Sequence, residues 1–200
     1  MKRLFLLFLC CYSFSLSSQN VDITILKSIN LGRNKQLDPT FKTITNSVTP
    51  VSIAVPVTVL TVGLIKRDSA IKDKGLCIGA SLIVAAGIST GLKYAVKRPR
   101  PFVTYPFIDK ATSGGSPSFP SGHTSDAFAT ATSLSLAFPK WYVIAPSYVW
   151  ACSVGYSRMH LGVHYPSDVL AGAITGAGSA YVCYWLNRKL FKPRTMRVTF

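Results

Sequence analysis

Long uncharged apolar runs, separated by short polar or basic segments, dominate the chain after residue 42. Five such runs occur, at residues 43–65, 75–92, 127–139, 141–157 and 169–187. A helix needs about 20 mostly apolar residues to cross a bilayer, within a usual range of about 17–25. Four runs reach or approach that length, and the run at 127–139 does so if its helix starts at Ser121 with Asp126 facing inward. The pattern predicts an all-helical integral-membrane bundle of about five to six spans.

The residues before these runs have a different pattern. A basic start at Lys2 and Arg3, an apolar stretch at 4–9 and small residues at 15–18 are typical of a signal peptide covering residues 1–18. An uncleaved first span is the alternative. In residues 19–47, apolar side chains recur at helical spacing among basic ones. This segment is predicted to form one or two amphipathic helices, either at the membrane surface or packed against other helices.

Composition supports a membrane protein. The 200 residues are 48% hydrophobic and only 14% charged, whereas soluble domains carry about 25% charged residues. The formal net charge of +15 comes from basic residues clustered between apolar runs, a pattern that argues against a nucleic-acid partner. The five cysteines lack metal-ligand spacing and, inside the runs, are predicted to be small buried apolar residues without disulfides. One membrane domain is expected over residues 48–190, with a basic tail at 191–200.

The basic loops predict an orientation. Basic residues cluster at 66–74, at Lys140 and from 188 to 197. Alternation of the runs places all three segments on one side, which is cytoplasmic because cytoplasmic loops are enriched in lysine and arginine. The segments 93–120 and 158–168 then share the outer side of the cytoplasmic membrane, facing the periplasm or outside.

Polar chemistry is concentrated on that outer side. In the segment 158–168, His164 is followed by Pro166, which favours a helix start, so Asp168 is predicted in the first turn within reach of His164. A carboxylate on one ring nitrogen of a histidine leaves the other nitrogen free as a nucleophile. Arg158 supplies a planar fork that suits phosphate oxygens.

Two further blocks lie on the same side. Lys93 and Arg100 close the second run, and both can neutralise a phosphoryl group. Ser121 is a strong N-cap candidate for the third run, and Gly122 allows the backbone N–H groups to approach an anion. His123, just inside that helix, is placed to donate a proton to a leaving oxygen.

Simpler explanations exist for each block alone. An interfacial anchor with snorkelling side chains would also explain the basic residues of the first block, which are Lys93, Lys97, Arg98 and Arg100. His123 alone is more often a capping or packing residue. Two histidines, an aspartate and three basic residues converging on one membrane side favour an anionic ligand.

The three blocks together resemble the three-part signature of the type 2 phosphatidic acid phosphatase (PAP2) superfamily, over residues 50–190. The matching motifs are Lys93-x6-Arg100-Pro101, Pro120-Ser121-Gly122-His123 and Ser157-Arg158-x5-His164-x3-Asp168. The resemblance implies a helical core like that of the PAP2 phosphatases and haloperoxidases, with the active site at the outer membrane face.

The resemblance also implies the role of each residue. His164 is the nucleophile that becomes a phosphohistidine, Asp168 holds its ring and His123 is the general acid. The implied phosphate-binding residues are Lys93, Arg100, Ser121, Gly122 and Arg158. His160 does not fit the spacing and is expected to be non-catalytic. No metal or cofactor is expected.

The expected function is hydrolysis of a lipid phosphate or diphosphate. Undecaprenyl diphosphate and lipid A phosphate are favoured as substrates over phosphatidylglycerol phosphate. A lipid phosphotransferase would use the same site with an acceptor other than water. A transporter or scaffold with basic membrane anchors is the alternative from another class, and the membrane spans argue against vanadate-dependent haloperoxidase chemistry. The sequence leaves the oligomeric state open.

Overall fold

The structure is a computed structural model that describes residues 21–190, and every regular element in that range is helical. A helix runs through residues 21–31 (α1), and a single 3-10 turn follows at Lys35–Leu37. The remaining helices are α2 (Asp38–Asn46), α3 (Val48–Ile65), α4 (Ser69–Val96), α5 (Pro101–Thr104), α6 (Gly122–Ala137), α7 (Trp141–His160) and α8 (Pro166–Leu190). The predicted all-helical class is confirmed. The predicted signal segment at 1–18 and basic tail at 191–200 lie outside the described residues.

Each predicted apolar run corresponds to one of the helices α3, α4, α6, α7 and α8. Three helical stretches are long and apolar enough to cross a membrane, at Lys35–Ile65, Ser69–Thr104 and Pro166–Leu190. The chain is therefore a membrane protein, and the total of five to six spans stays a prediction. Residues 19–47 do contain two helices, but α2 leads into α3 with only Ser47 between them.

The helices bury small and polar residues and expose large apolar ones. α6 lies at the centre, in contact with α3, α4, α7 and α8. A Cβ on Gly172 would lie 2.5 Å from the carbonyl oxygen of Ser121, and one on Gly176 would clash with that of Ser125, so α8 approaches α6 closely at these glycines. Large side chains such as Ile83 on α4 point outward. This arrangement suits helix packing in lipid.

The cysteine prediction needs a correction. All three cysteines in the described residues are free, but Cys152 on α7 is exposed and Cys77 and Cys183 are only partly buried. The expectation of buried cysteines is therefore wrong for Cys152. An apolar residue on the outer face of a membrane helix meets lipid, so it needs no burial within the protein.

The two ends of the bundle differ in charge and chemistry. α4 spans 28 residues, or ~42 Å at ~1.5 Å per residue, so its ends lie far apart. Near its start, the Lys74 ammonium lies 4.5 Å from the ring centre of Phe138, which places the basic segments 66–74 and 138–140 at one end. Lys93, in its last turn, marks the opposite end, where the three polar blocks meet.

Candidate active site

His164 and Asp168 meet where α7 turns into α8. Gly162 has a φ of 73°, a left-handed conformation that glycine adopts without steric cost, and α8 then begins at Pro166. Asp168 thus lies in the first turn of α8, as the sequence predicts. Its Oδ2 accepts the backbone N–H of Tyr165 at 3.0 Å and lies 3.4 Å from Nδ1 of His164. That separation exceeds an ordinary N–H···O bond; hydrogen bonds in active sites are often this long before substrate binds and tighten in the complex.

The surroundings of His164 keep its ring neutral. Burial lowers the pKa of His164 to about 3; the field of Arg158 and Arg100 acts in the same direction, and Asp168 opposes it. The carboxylate beside Nδ1 favours the tautomer with its proton on Nδ1, so the lone pair resides on Nε2. Nε2 faces Nη1 of Arg100 at 3.3 Å. A neutral ring with an available lone pair is what nucleophilic catalysis requires.

Lys93 and Arg100 reach the site from the end of α4 and the start of α5. The Lys93 ammonium donates to two carbonyl oxygens of the loop before α6, at 2.8 Å each. Nε of Arg100 donates to the carbonyl of Ser116 at 2.7 Å, and Nη1 donates to that of Val163 at 2.9 Å. These carbonyl groups hold Lys93 and Arg100 in position. Because carbonyls are neutral, they do not balance the positive charge of either side chain.

Arg158 completes a group of three cations. It lies in the last turn of α7, 3% exposed, and its Nη1 donates to the hydroxyl of Thr45 at 2.7 Å. Its Nε has no hydrogen-bond partner. Among residues 21–190, no carboxylate lies within salt-bridge distance of Arg158, Lys93 or Arg100. Three mutually repelling charges, two of them buried and that of Lys93 partly buried, favour binding of an anion between them.

The start of α6 adds backbone donors and the second histidine. Ser121 is the N-cap, as the sequence predicts. Its Oγ accepts two hydrogen bonds from Thr124, one from the backbone N–H at 3.4 Å and one from the side-chain hydroxyl at 2.8 Å. His123 lies partly buried in the first turn, and the three cations already described exert their field on it. A helix N-terminus with free N–H groups at Gly122 suits an anion.

Direct contacts connect the three motif blocks. Lys93 Nζ donates to the carbonyl of Pro120 at 2.8 Å, Ser121 N–H donates to the carbonyl of Asp168 at 3.0 Å, and Arg100 contacts the ring of His164. All eight predicted site residues therefore come together at one end of the bundle. They are Lys93, Arg100, Ser121, Gly122, His123, Arg158, His164 and Asp168.

Three further side chains support the site, and sequence reasoning did not identify them as such. Arg98, considered only as part of an interfacial anchor, donates from Nη1 to Oδ1 of Asp168 and from Nη2 to Oδ2 of Asp22, at 2.7 Å each. Its position between Lys93 and Arg100 is the one signal that could have indicated this. Asp22 in α1 and Thr45 in α2 belong to no motif and carry no comparable signal.

His160 belongs to a separate cluster. Its Nε2 lies 2.9 Å from Oδ1 of Asp38, and its ring packs against Phe41 and Tyr156 with centroids 4.2 and 5.9 Å away. Oδ1 of Asp38 also accepts Nε of Arg33 at 3.0 Å. This ion cluster fastens the α1–α2 connection to the end of α7.

The described residues do not form a metal centre. Within the described range 21–190, no three His, Cys, Asp or Glu side chains group as ligands for a metal ion. The site's donors are instead cationic and backbone N–H groups, which suit an anion.

A family comparison matches most of the helical bundle. The sequence model described as the PAP2 superfamily matches residues 74–192, more than half of the chain. That interval contains all eight predicted site residues and leaves out α1, α2 and α3.

Two curated relatives are similar in sequence. A lipid A 4'-phosphatase of Bacteroides thetaiotaomicron is 34% identical over 90 residues, which are 45% of this chain and 40% of that protein. An undecaprenyl-diphosphatase of Sulfolobus acidocaldarius is 34% identical over 132 residues, which are 64% of this chain and 60% of that protein. The chain thus spans between 40% and 60% of the length of these two relatives.

Two solved structures are similar over nearly the whole fold. The first transmembrane PAP2 type phosphatidylglycerolphosphate phosphatase from Bacillus subtilis superposes with a TM-score of 0.77 at 26% identity, covering 96% of both chains. LpxE of Aquifex aeolicus has a TM-score of 0.69 at 26% identity, covering 82% of this chain and 94% of that one. Coverage of 96% extends beyond the family-model interval, so the fold resemblance includes the N-terminal helices.

Proposed function

Because the chain belongs to the PAP2 superfamily, we propose that it is a membrane phosphatase that hydrolyses lipid phosphate monoesters or diphosphates through a phosphohistidine. One observation carries the proposal: Nε2 of the buried His164 faces Arg100 at 3.3 Å, and no carboxylate of residues 21–190 pairs with Arg100, Lys93 or Arg158. A phosphoryl group matches that charge and geometry, since guanidinium forks bind its oxygens bidentately. The three membrane-length helices favour a lipid as the carrier of that phosphate.

In the proposed first step, Nε2 of His164 attacks phosphorus and the bond from phosphorus to the leaving oxygen breaks. His123 donates its proton to that oxygen, so the lipid leaves as an alcohol or, from a diphosphate, as a monophosphate. The His164 ring becomes cationic as the P–N bond forms. The carboxylate of Asp168 stabilises this charge through Nδ1–H, the role that aspartate has beside a catalytic histidine.

In the second step, water attacks the phosphohistidine. His123 accepts a proton from the water, the P–N bond breaks, and its electron pair returns to Nε2 of His164. The product is inorganic phosphate. Lys93, Arg100 and Arg158 stabilise the charge on the equatorial oxygens in both steps, which is the main source of rate in phosphoryl transfer.

The direct test is to trap the intermediate on purified protein in detergent. Brief reaction with a substrate labelled in its terminal phosphate should give labelled protein that is stable to alkali and labile to acid, as phosphohistidine is. The His164→Ala variant should carry no label. Label in inorganic phosphate supports hydrolysis, whereas label in a second lipid identifies a phosphotransferase. A folded protein that neither labels nor releases phosphate contradicts the proposal.

The proposal extends to the substrate and to the side of the membrane. The site lies at the end opposite the basic segments 66–74 and 138–140, and the positive-inside rule makes those segments cytoplasmic. A site outside the cytoplasmic membrane reaches carrier lipids and lipid A phosphates of the outer leaflet. Undecaprenyl diphosphate and lipid A phosphate are therefore ranked above phosphatidylglycerol phosphate, and phosphate release from all three tests that order.

Single cysteines test the sidedness. Ser113 lies exposed in the loop before α6, and Ser69 lies exposed at the opposite end, at the start of α4. In a background without native cysteines, a membrane-impermeant thiol reagent applied to cells with a permeabilised outer envelope should label Ser113→Cys only. Labelling of Ser69→Cys alone would reverse the orientation and with it the substrate order.

The proposed chemistry needs no metal. Activity should therefore survive EDTA, and vanadate should inhibit it by occupying the phosphate position. Loss of activity in EDTA that magnesium restores would contradict the histidine mechanism and indicate metal-assisted hydrolysis.

A further inference from the structure

A hydrogen-bonded network behind His164 begins outside the family-model interval, in α1. We propose that Asp22 is a positioning residue which, through Arg98 and Ser167, fixes the carboxylate of Asp168 against the His164 ring. The inference rests on the proposed function, because it takes His164 as the nucleophile.

Asp22 directs its carboxylate at the start of α8. Its Oδ1 accepts the backbone N–H of Ser167 at 2.8 Å, and its Oδ2 accepts both the hydroxyl of Ser167 and Nη2 of Arg98, the latter at 2.7 Å. Asp22 is only 5% exposed. A carboxylate is costly to bury unless donors surround it, and all three of these donors belong to residues that contact or adjoin Asp168.

Arg98 connects the two carboxylates. Its Nη1 donates to Oδ1 of Asp168 and to the hydroxyl of Ser167, at 2.7 Å each. Its guanidinium lies 3.9 Å from the ring centre of Tyr165, which restricts its position. Because Arg98 occupies Oδ1 of Asp168, Oδ2 is the oxygen that faces His164.

The charges explain why a second carboxylate matters. Arg98 alone would place a full positive charge beside Asp168 and weaken that carboxylate as the acceptor for Nδ1–H of His164. With Asp22 on its other side, the Arg98 charge is balanced and Asp168 keeps its negative charge for the imidazolium that forms during the reaction. Loss of Asp22 should therefore slow the chemical step and leave substrate binding, which uses other cations, nearly unchanged.

Separate contacts hold α1 in place. Leu26 is fully buried and packs with Ile108 and Tyr165. The Asn30 amide donates to the carbonyls of Asp109 and His160 at 3.0 Å each, and its oxygen accepts the backbone N–H of Asp109 at 2.8 Å. An Asp22→Asn change therefore tests the carboxylate charge with the helix still docked.

The experiment compares Asp22→Asn with Asp109→Asn, using the full chain in detergent. Asp109 pairs with Arg33 at 2.9 Å at the same end of the bundle but does not contact Asp168, so its change should leave kcat and KM near wild-type values. Asp22→Asn should lower kcat by about 10- to 100-fold, the range found when residues that orient metal-ligating histidines are lost, with KM nearly unchanged. Asp22→Glu should restore part of the loss.

A double-mutant cycle tests whether Asp22 affects kcat through Arg98. If Asp22 acts through Arg98, then Asp22→Asn should have little further effect on kcat in an Arg98→Gln background. Additive losses, or equal kcat losses in Asp22→Asn and Asp109→Asn, would overturn the inference. If Asp22→Asn does not fold, Ser167→Ala provides the same test with a smaller kcat loss, and an unchanged kcat there overturns the inference.

The controls separate the two proposals. An inactive His164→Ala protein together with a fully active Asp22→Asn protein rejects the positioning role and leaves the proposed function intact. An active His164→Ala protein rejects the proposed function itself, whatever Asp22→Asn does.

Discussion

Two histidines near the end of α7 differ in one decisive way. His160 and His164 are each 2% exposed, and each lies beside a carboxylate. The carboxylate of Asp38 occupies Nε2 of His160, and aromatic rings cover that imidazole. The carboxylate of Asp168 instead lies beside Nδ1 of His164 and leaves Nε2 facing Arg100. In the proposed mechanism, the choice of nitrogen determines which ring can attack phosphorus, and burial or pairing alone does not.

The charges around the two rings differ as well. Asp38, beside His160, is also bound by Arg33, which in turn pairs with Asp109. Lys35 also pairs with Asp109, at 2.9 Å, so two cations and two carboxylates balance in this cluster, which needs no ligand. Apart from one arginine's contact with the His164 ring, the three cations of the site find only carbonyl and hydroxyl partners among the described residues. An excess of positive charge, more than the presence of histidine, therefore distinguishes the site.

The largest expected difference is between the histidines themselves. His164→Ala should lower kcat by ~10⁴-fold or more, as removal of a nucleophile does. His160→Gln should keep turnover near wild type while lowering the melting temperature, because Asp38 loses its ring partner. Phosphate release and thermal melting in detergent measure both. Comparable activity losses in the two variants would remove the distinction between the rings.

The second largest difference in kcat is expected between variants of the two aspartates beside these rings, Asp168 and Asp38. Asp168→Asn favours the wrong tautomer of His164, and the same change beside a protease histidine costs about 10⁴-fold in kcat, so a loss of ~10²–10⁴ is expected here. Asp38→Asn should lower stability and spare kcat. A kcat for Asp168→Asn within a factor of two of wild type would show that the aspartate does not orient the ring.

A smaller difference in activity is expected between variants of Arg158 and Arg33. Arg158→Lys keeps a charge but loses the fork, and a loss of one transition-state donor costs about 10²-fold in kcat, so measurable activity should remain. Arg33→Lys should reduce only the melting temperature, since Arg33 stabilises a cluster that balances its own charge. Turnover abolished by Arg158→Lys would assign Arg158 a greater role than charge stabilisation.

The smallest expected effect concerns Thr45. Thr45→Val removes the hydroxyl that holds the Arg158 guanidinium in position, so vanadate binding should weaken by about an order of magnitude, or about 1.4 kcal/mol. Thr45→Ser keeps the hydroxyl and should bind vanadate as wild type does. Isothermal titration with vanadate compares the two, and equal affinities would show that Thr45 does not orient Arg158.

Local sequence predicted the parts of the site that local structure determines. The N-cap at Ser121 and the first-turn position of Asp168 follow from spacing and helix-start residues, and the structure confirms both. Helix lengths were less predictable: the run at 75–92 lies within α4, which spans Ser69–Val96. The end turns of α4 carry polar and charged residues, so an apolar run cannot show them.

Contacts between distant segments were not predictable. Asp22 meets Ser167 across 145 residues, and Thr45 meets Arg158 across 113. Neither α1 nor α2 carries a motif, and a lone aspartate or threonine in an amphipathic segment is ordinary. Only the packing of these helices over the polar end gives either residue its partner.

Under the proposed function, the length of α6 limits how deep in the bilayer the reaction would occur. Its 16 residues measure ~24 Å at ~1.5 Å per residue, less than the ~30 Å hydrocarbon thickness of a typical bilayer. Its far end adjoins Lys140 and the basic surface, and tilt only shortens its reach. With the basic surface at the cytoplasmic headgroups, we expect His123, in the first turn of α6, at or just below the opposite headgroup layer. A lipid phosphate meets this depth without leaving its leaflet, whereas a water-soluble phosphate ester would have to enter the membrane surface to reach it.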